Sequence, residues 1–150
     1  MYFKPGSKLT LDSALKMMLV KSANDVAVAI AETVAGSEPA FIERMNAEAR
    51  RIGMTSSNFV NPNGLPGPGQ YTTARDLAVL AITLKREFPQ YASYFSLEGF
   101  TTGKKDYPNY NMLIGRFEGA DGGGRQEVVA EQPTRHRRGR RGVDHGRETV

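Results

Sequence analysis

Residues 19–25 read Leu19-Val20-Lys21-Ser22-Ala23-Asn24-Asp25, and they place a polar Ser-x-Asn between two apolar helical runs. The run before it puts apolar side chains at i, i+3, i+4, i+7 and i+8, on one helix face: Leu11, Ala14, Leu15, Met18 and Leu19. The run after it, from about Ala23 to Ala35, is built mostly of small apolar residues that permit close packing. A turn between two helices needs an N-terminal cap, and Ser22 or Asn24 supplies a suitable side chain. Such a turn can also face a cleft, so capping and a functional role are compatible.

The same periodicity predicts four helices, at about 9–20, 23–35, 38–52 and 73–87. Their predicted caps are Thr10 or Asp12 for the first, Ser37 for the third, and Thr72 or Thr73 for the fourth. Gly36 and Gly53 are expected to end the second and third helices, and Pro89 to stop the fourth.

The segments between and after these helices are expected to be irregular or extended. Residues 58–69 are too rich in Pro, Gly and Asn for a helix or a regular strand, so they predict a structured loop. One short helical turn is expected at 91–95, and short extended segments at 100–102 and 111–114.

The composition is that of a soluble folded chain whose last part differs from the rest. The 150 residues allow at most one domain, with 39% hydrophobic and 24% charged residues. Of 20 Lys+Arg and 16 Asp+Glu, the last 29 residues hold seven and four, so residues 1–121 carry a nearly balanced 13 and 12. Residues 123–150 lack Leu, Ile, Met, Phe and Tyr, and we predict that this basic tail is disordered.

Several classes of site are excluded or disfavoured. No cysteine is present, which excludes disulfides, thiolate metal sites and a cysteine nucleophile. His136 and His145 both lie in the tail without compact ligand spacing, so neither a metal nor another cofactor is expected. Residues 1–6 show no apolar signal-peptide core, and no stretch has the ~18 apolar residues that a spanning helix requires.

Six short segments, in their order and spacing, resemble one enzyme family. They are Gly6-Ser7-Lys8-Leu9-Thr10-Leu11-Asp12, Leu19-Val20-Lys21-Ser22-Ala23-Asn24-Asp25, Met45-Asn46, Asn61-Pro62-Asn63-Gly64-Leu65, Thr73-Ala74-Arg75-Asp76-Leu77-Ala78 and Asn109-Tyr110-Asn111-Met112-Leu113-Ile114. The family is that of the serine D-alanyl-D-alanine carboxypeptidases, the low-molecular-mass penicillin-binding proteins. Each segment alone is weak evidence for the family, but their combination is specific. The resemblance covers about residues 3–122.

This resemblance implies an α/β (α+β) fold of the β-lactamase and transpeptidase type, in which a helical lobe packs on an antiparallel sheet. Residues 1–122 would be a partial catalytic domain, mainly the helical lobe with an incomplete sheet. It also implies a periplasmic or other extracytoplasmic location for the intact protein. Peptidoglycan stem peptides ending in D-Ala-D-Ala and β-lactams would be its ligands, with no nucleic acid, and with a membrane contacted only through parts absent here.

The family's active site combines Ser-x-x-Lys, Ser-x-Asn and Lys-Thr-Gly. By resemblance, Ser22 is the catalytic hydroxyl that relays a proton, and Asn24 is the amide that holds the substrate. Ser13-Ala14-Leu15-Lys16 spells the first motif, but it lies only nine residues before Ser22, whereas the family's nucleophile lies far upstream on its own helix. We therefore interpret Ser13 as a helix-start residue and Lys16 as a solvated side chain, and expect the nucleophile helix to precede Met1.

Lys-Thr-Gly is also missing, because Thr102-Gly103-Lys104 has the wrong order and the match stops at Gly119-Ala120-Asp121-Gly122. We hypothesise a shifted reading frame or a gene-prediction error after about Gly122. The sequence thus predicts a fragment of a serine carboxypeptidase, inactive as written and marginally stable without its sheet. The alternative is a non-catalytic helical interaction module whose Arg-rich tail binds anions or nucleic acid.

Overall fold

The computed structural model describes residues 3–4, 6–103, 105–116 and 120. Four α-helices are followed by a short 3-10 helix and a two-stranded hairpin. Their bounds are α1 Leu11–Lys21, α2 Asn24–Ala35, α3 Glu38–Ile52, α4 Ala74–Glu87, the 3-10 helix Pro89–Tyr94, β1 Gly99–Thr102 and β2 Lys105–Pro108. Within this described part, no helix has both the length and the apolar character needed to cross a bilayer.

The helix boundaries follow the caps that the sequence predicted. The side chains of Thr10, Ser37 and Thr73 each accept a hydrogen bond from the backbone N–H three residues further on. Gly36 and Gly53 end α2 and α3 with φ of 82° and 90°, a left-handed conformation that glycine adopts without a steric cost. The prediction of four helices is therefore confirmed.

The core lies where α1 meets α2 and where the hairpin covers them. Its buried side chains are Ala14, Met17, Ala23 and Val26, with Ile30 and Phe100 packed against them. Phe100 of β1 also stacks on Tyr107 of β2, with ring centroids 5.1 Å apart. The hairpin is antiparallel, and both of its strands contact α1.

The loop between α3 and α4 is fixed by side chains that bond to its backbone. Asn46 of α3 donates from Nδ2 to the Phe59 carbonyl and accepts from the Phe59 N–H, both at 2.8 Å. Further along, Gln70 accepts from the N–H groups of Val60 and Asn61 through Oε1. The loop is therefore ordered by amide groups, as the Pro, Gly and Asn content predicted.

A buried carboxylate joins the same loop to α4. Asp76 is 3% exposed, and its Oδ2 accepts from the Ser57 hydroxyl at 2.6 Å and the Ser56 N–H at 2.8 Å. The Ser57 hydroxyl and, less strongly, the Ser56 N–H hold the pKa of Asp76 below its ordinary value of 3.8, against the opposing effect of desolvation. Asp76 is therefore an ionised anchor at the start of α4.

Three expectations need correction or lie outside the described residues. Residues 111–114 form turns and not an extended segment, because the Asn109 and Asn111 side chains accept from the N–H two residues on. The second strand is instead 105–108, which the sequence did not predict. Residues 123–150, for which we predicted disorder, fall outside the described part.

Candidate active site

Ser22 lies at the junction of α1 and α2 in an unusual backbone conformation. It is the C-terminal cap of α1 with φ 52° and ψ 47°, and among the described residues it is the one non-glycine with positive φ. The left-handed region costs about 1–2 kcal/mol for a residue with a Cβ atom. The side chain is exposed and forms no hydrogen bond with another residue that the structure describes. An exposed hydroxyl on a strained backbone is typical of a functional position.

Asn24 follows at the first position of α2 and does not cap it. The N-cap is Ala23, without any side-chain bond, so the interpretation of Ser22 or Asn24 as the cap is wrong. Asn24 is half-buried, and its side-chain amide forms no hydrogen bond with the described residues. Since no buried side-chain N or O in the described part lacks a partner, this amide is open to solvent. Ser22 and Asn24 thus present a hydroxyl and an amide on one turn, neither bonded to another residue of the described part.

The turn is tied to the segment that follows β2. The Lys21 ammonium donates to the Pro108 carbonyl at 3.1 Å and lies 3.6 Å from the centroid of the Tyr110 ring. The Tyr110 N–H also donates to the Val20 carbonyl at 3.3 Å, in the last turn of α1. The sequence did not predict these partners, because 87 residues separate Lys21 from Pro108 and no local periodicity relates them.

The Ser13-x-x-Lys16 tetrad has the contacts of a helix start. The Thr10 hydroxyl donates to Ser13 Oγ at 2.9 Å. Lys16 Nζ bonds Asp12 Oδ2 at 2.8 Å, in an i, i+4 ion pair on the exposed face of α1. A nucleophilic serine needs a base within reach of its hydroxyl, and here the lysine is engaged with a carboxylate. These contacts support the interpretation of Ser13 as structural.

An apolar groove of about 240 Å³ lies between α1, α4 and the 3-10 helix, away from the Ser22 turn. Its lining residues are Leu11, Leu15, Leu19, Leu84, Phe88, Tyr91, Tyr94 and Phe95. Acyl transfer needs a nucleophile, a base and oxyanion donors, which this lining does not offer. The described residues contain no cluster of three acidic, His or Cys side chains that would hold a metal.

Comparisons with known proteins identify one enzyme family. A family model described as D-alanyl-D-alanine carboxypeptidase, Peptidase S11, matches residues 1–123. The D-alanyl-D-alanine carboxypeptidase DacC of Escherichia coli K12 is 37% identical over 114 residues, which is 76% of this chain and 28% of DacC. DacF of Bacillus subtilis 168 is 34% identical over 132 residues, which is 81% of this chain and 32% of DacF.

Two solved structures show the same arrangement of elements. Penicillin binding protein 5 from Haemophilus influenzae superposes with a TM-score of 0.72 at 33% identity, covering 76% of this chain and 33% of that one. Penicillin-binding protein D2 from Listeria monocytogenes, in its ampicillin-bound form, gives 0.66 at 29% identity, with 74% and 46% covered. The predicted α/β fold class is confirmed. The chain spans about a third of the length of the curated relatives it matches.

Proposed function

This chain belongs to the Peptidase S11 family of D-alanyl-D-alanine carboxypeptidases, and we propose that it forms part of a hydrolase that removes the terminal D-alanine from peptidoglycan stem peptides. The observation that carries the proposal is the Ser22 turn. An exposed serine on a strained backbone lies two residues before an amide, and neither side chain is bonded to another described residue. These are two polar groups that could contact a peptide beside its scissile bond.

In the proposed reaction a serine oxygen attacks the carbonyl carbon of the penultimate D-alanine. The C–N bond breaks, the departing amine takes a proton and leaves as D-alanine, and the acyl-serine ester remains. Water then adds to the ester carbonyl, the C–O bond to the serine breaks, the serine oxygen takes a proton from the water, and the shortened peptide leaves as a carboxylic acid. Ser22 relays the proton to the leaving amine, and Asn24 donates its N–H to the acyl-side amide carbonyl of the substrate.

The nucleophile and the cationic strand of this site are not within the 150 residues. Ser13 is bonded to Thr10, and no Lys-Thr-Gly occurs in the sequence. The proposal therefore gives Ser22 and Asn24 a role in a site completed by other segments. We expect no acylation by penicillin of the chain as written, because acylation requires an activated serine.

The proposed ligands follow from the reaction. A β-lactam presents a strained amide to the same nucleophile, so the completed protein is expected to bind penicillin covalently. Peptidoglycan lies outside the cytoplasm, so the completed protein is expected to work in the periplasm or another extracytoplasmic space. No described feature favours the alternative of an interaction module with a basic tail, since residues 123–150 lie outside the described part.

The test is a chimera in which residues 3–122 replace the matching region of E. coli DacC, assayed for acylation by labelled penicillin and for D-alanine release. We expect an active chimera, and a loss of roughly 10²-fold or more in D-alanine release with Ser22→Ala, the scale of general acid–base catalysis. Asn24→Ala is expected to impair release as well.

Ser13→Ala is the matched control, since it removes a serine hydroxyl from the preceding helix. It should leave acylation unchanged. Full activity in the Ser22→Ala chimera, or loss of the labelled adduct in the Ser13→Ala chimera, would contradict the proposed roles.

A further inference from the structure

The backbone of Ser22 needs an explanation that its own side chain does not provide. A serine left to itself would continue the helix or adopt an extended conformation, and here it is left-handed at φ 52°. Its hydroxyl makes no hydrogen bond within the described part of the chain that would hold it so. The constraint must therefore come from neighbouring residues.

Lys21 is the neighbour with long-range contacts. It is the last residue of α1, and its ammonium pairs with no carboxylate in the described ion pairs. Instead it bonds the Pro108 carbonyl at 3.1 Å and lies over the Tyr110 ring at 3.6 Å. The carbonyl and the ring thus give the Lys21 ammonium two favourable contacts, a hydrogen bond and a cation–π interaction, at the end of α1.

The backbone beneath Lys21 is tied to the same segment. The Val20 carbonyl belongs to the last turn of α1, whose carbonyls lack partners within the helix. Tyr110 fills one of these places by donating its N–H to the Val20 carbonyl at 3.3 Å. Segment 108–110 thus contacts the final turn of α1 through one backbone and two side-chain contacts, directly before Ser22.

We infer that Lys21 and Tyr110 form a clamp that ends α1 and positions Ser22 in its left-handed conformation, which makes Lys21 a positioning residue for the Ser-x-Asn turn. The importance of the clamp for catalysis rests on the proposed function, but its effect on the backbone does not. Tyr110 remains 65% exposed, so its substitution removes the ring from the clamp without opening the core, while its backbone bond to Val20 can persist.

The test uses solution NMR of the full 150-residue chain. In the parent chain the Lys21 ε-methylene protons should be shifted upfield by the Tyr110 ring current, and the Ser22 backbone shifts should be those of a left-handed residue. Lys21→Met keeps the aliphatic length and removes the charge, and Tyr110→Leu removes the ring. Both should shift the Ser22 signals towards ordinary values while the methyl signals of the buried Met54 and Ala31 stay in place.

Two conservative variants complete the test. Lys21→Arg and Tyr110→Phe keep a cation over a ring, and both should retain the Ser22 shifts. Unchanged Ser22 signals in Lys21→Met and Tyr110→Leu would overturn the inference. Loss of the Met54 and Ala31 signals in both would also overturn it, because the contacts would then hold the fold and not the turn.

The outcome is separable from that of the proposed function. An inactive Ser22→Ala chimera together with an unmoved Ser22 signal in Lys21→Met would leave the hydrolase assignment standing and remove the clamp. If instead the Ser22 signals shift as expected in Lys21→Met, while the Ser22→Ala chimera keeps full activity, the clamp stands and the proposed function of Ser22 fails.

Discussion

Replacing Ser22 by glycine should stabilise the chain while removing its proposed activity. In the present structure Ser22 has φ 52°, and a residue with a Cβ atom loses about 1–2 kcal/mol there. Glycine relieves that strain, but its greater freedom in the unfolded chain takes back about 0.5–1 kcal/mol. No hydrogen bond is lost, because the hydroxyl has none with the described residues. The net expectation is a gain of up to about 1.5 kcal/mol in the free energy of unfolding.

Urea unfolding of the chain, followed by far-ultraviolet circular dichroism, measures this gain as a rise in the midpoint at constant slope. Ser93→Gly is the matched control, because Ser93 is also an exposed serine but has no positive φ. It should lose about 0.5–1 kcal/mol. In the DacC chimera, Ser22→Gly should lower D-alanine release as Ser22→Ala does.

The reasoning would be refuted by a Ser22→Gly chain less stable than its parent. That result would mean that the serine side chain stabilises the turn, and the strain would no longer point to a function. A more stable variant with lowered activity in the chimera is the combination expected where strain serves catalysis.

Three further predictions concern the scaffold. Asn46→Ala removes two 2.8 Å hydrogen bonds to Phe59 and should lower the free energy of unfolding by about 2–3 kcal/mol, with faster proteolysis of the 58–71 loop. The pKa of Asp76 is lowered in the folded state, so its ionised carboxylate stabilises the fold above its ordinary pKa of 3.8. This stabilisation is lost as the pH falls below 3.8 through the folded-state pKa. In thermal melts, Asp76→Asn should be less stable at neutral pH and should lack this acid dependence. Leu11→Lys, at the 63% exposed rim of the apolar groove, should reduce binding of the dye ANS and aggregation, whereas Ile82→Lys, 64% exposed and outside the groove, should not. Three results would contradict these predictions: unchanged protease resistance of the loop in Asn46→Ala, an acid transition that persists in Asp76→Asn, or unchanged dye binding in Leu11→Lys.

The helices were predictable because their signals are local. Apolar spacing, a hydroxyl cap and a terminal glycine all act within a few residues, so α3 begins and ends where the sequence indicated, at Glu38 and Ile52. The inner face of α4 was less predictable. The buried residues there are Asp76 and Thr83, since a carboxylate with suitable donors from a distant loop can replace an apolar side chain.

The hairpin and the Ser22 turn depend on contacts between residues far apart in the sequence, so local patterns predicted them less well than the helices. Residues 105–108 carry one half-buried aromatic, Tyr107, whose partner is Phe100 across the hairpin, so no alternating pattern marked the strand. Met112-Leu113-Ile114 looked extended by composition, but the Asn109 and Asn111 side chains fold that segment into turns. Ser22 and Asn24 were found by resemblance, whereas the left-handed backbone depends on partners some 87 residues away.

The loop held by Asn46, Asn61 and Gln70 is susceptible to slow chemical change, because side-chain amides can hydrolyse. Its order depends on uncharged amides that each donate and accept, so salt should scarcely affect it. Hydrolysis of one such amide to an acid turns a donor into an acceptor, and at Asn61 or Gln70 it would set a negative charge against the Leu65 carbonyl. Long storage at raised temperature and alkaline pH should therefore disorder this loop before it unfolds the helices. The expected observation is a slow gain of one negative charge, accompanied by increasing proteolytic cleavage in the 58–71 segment.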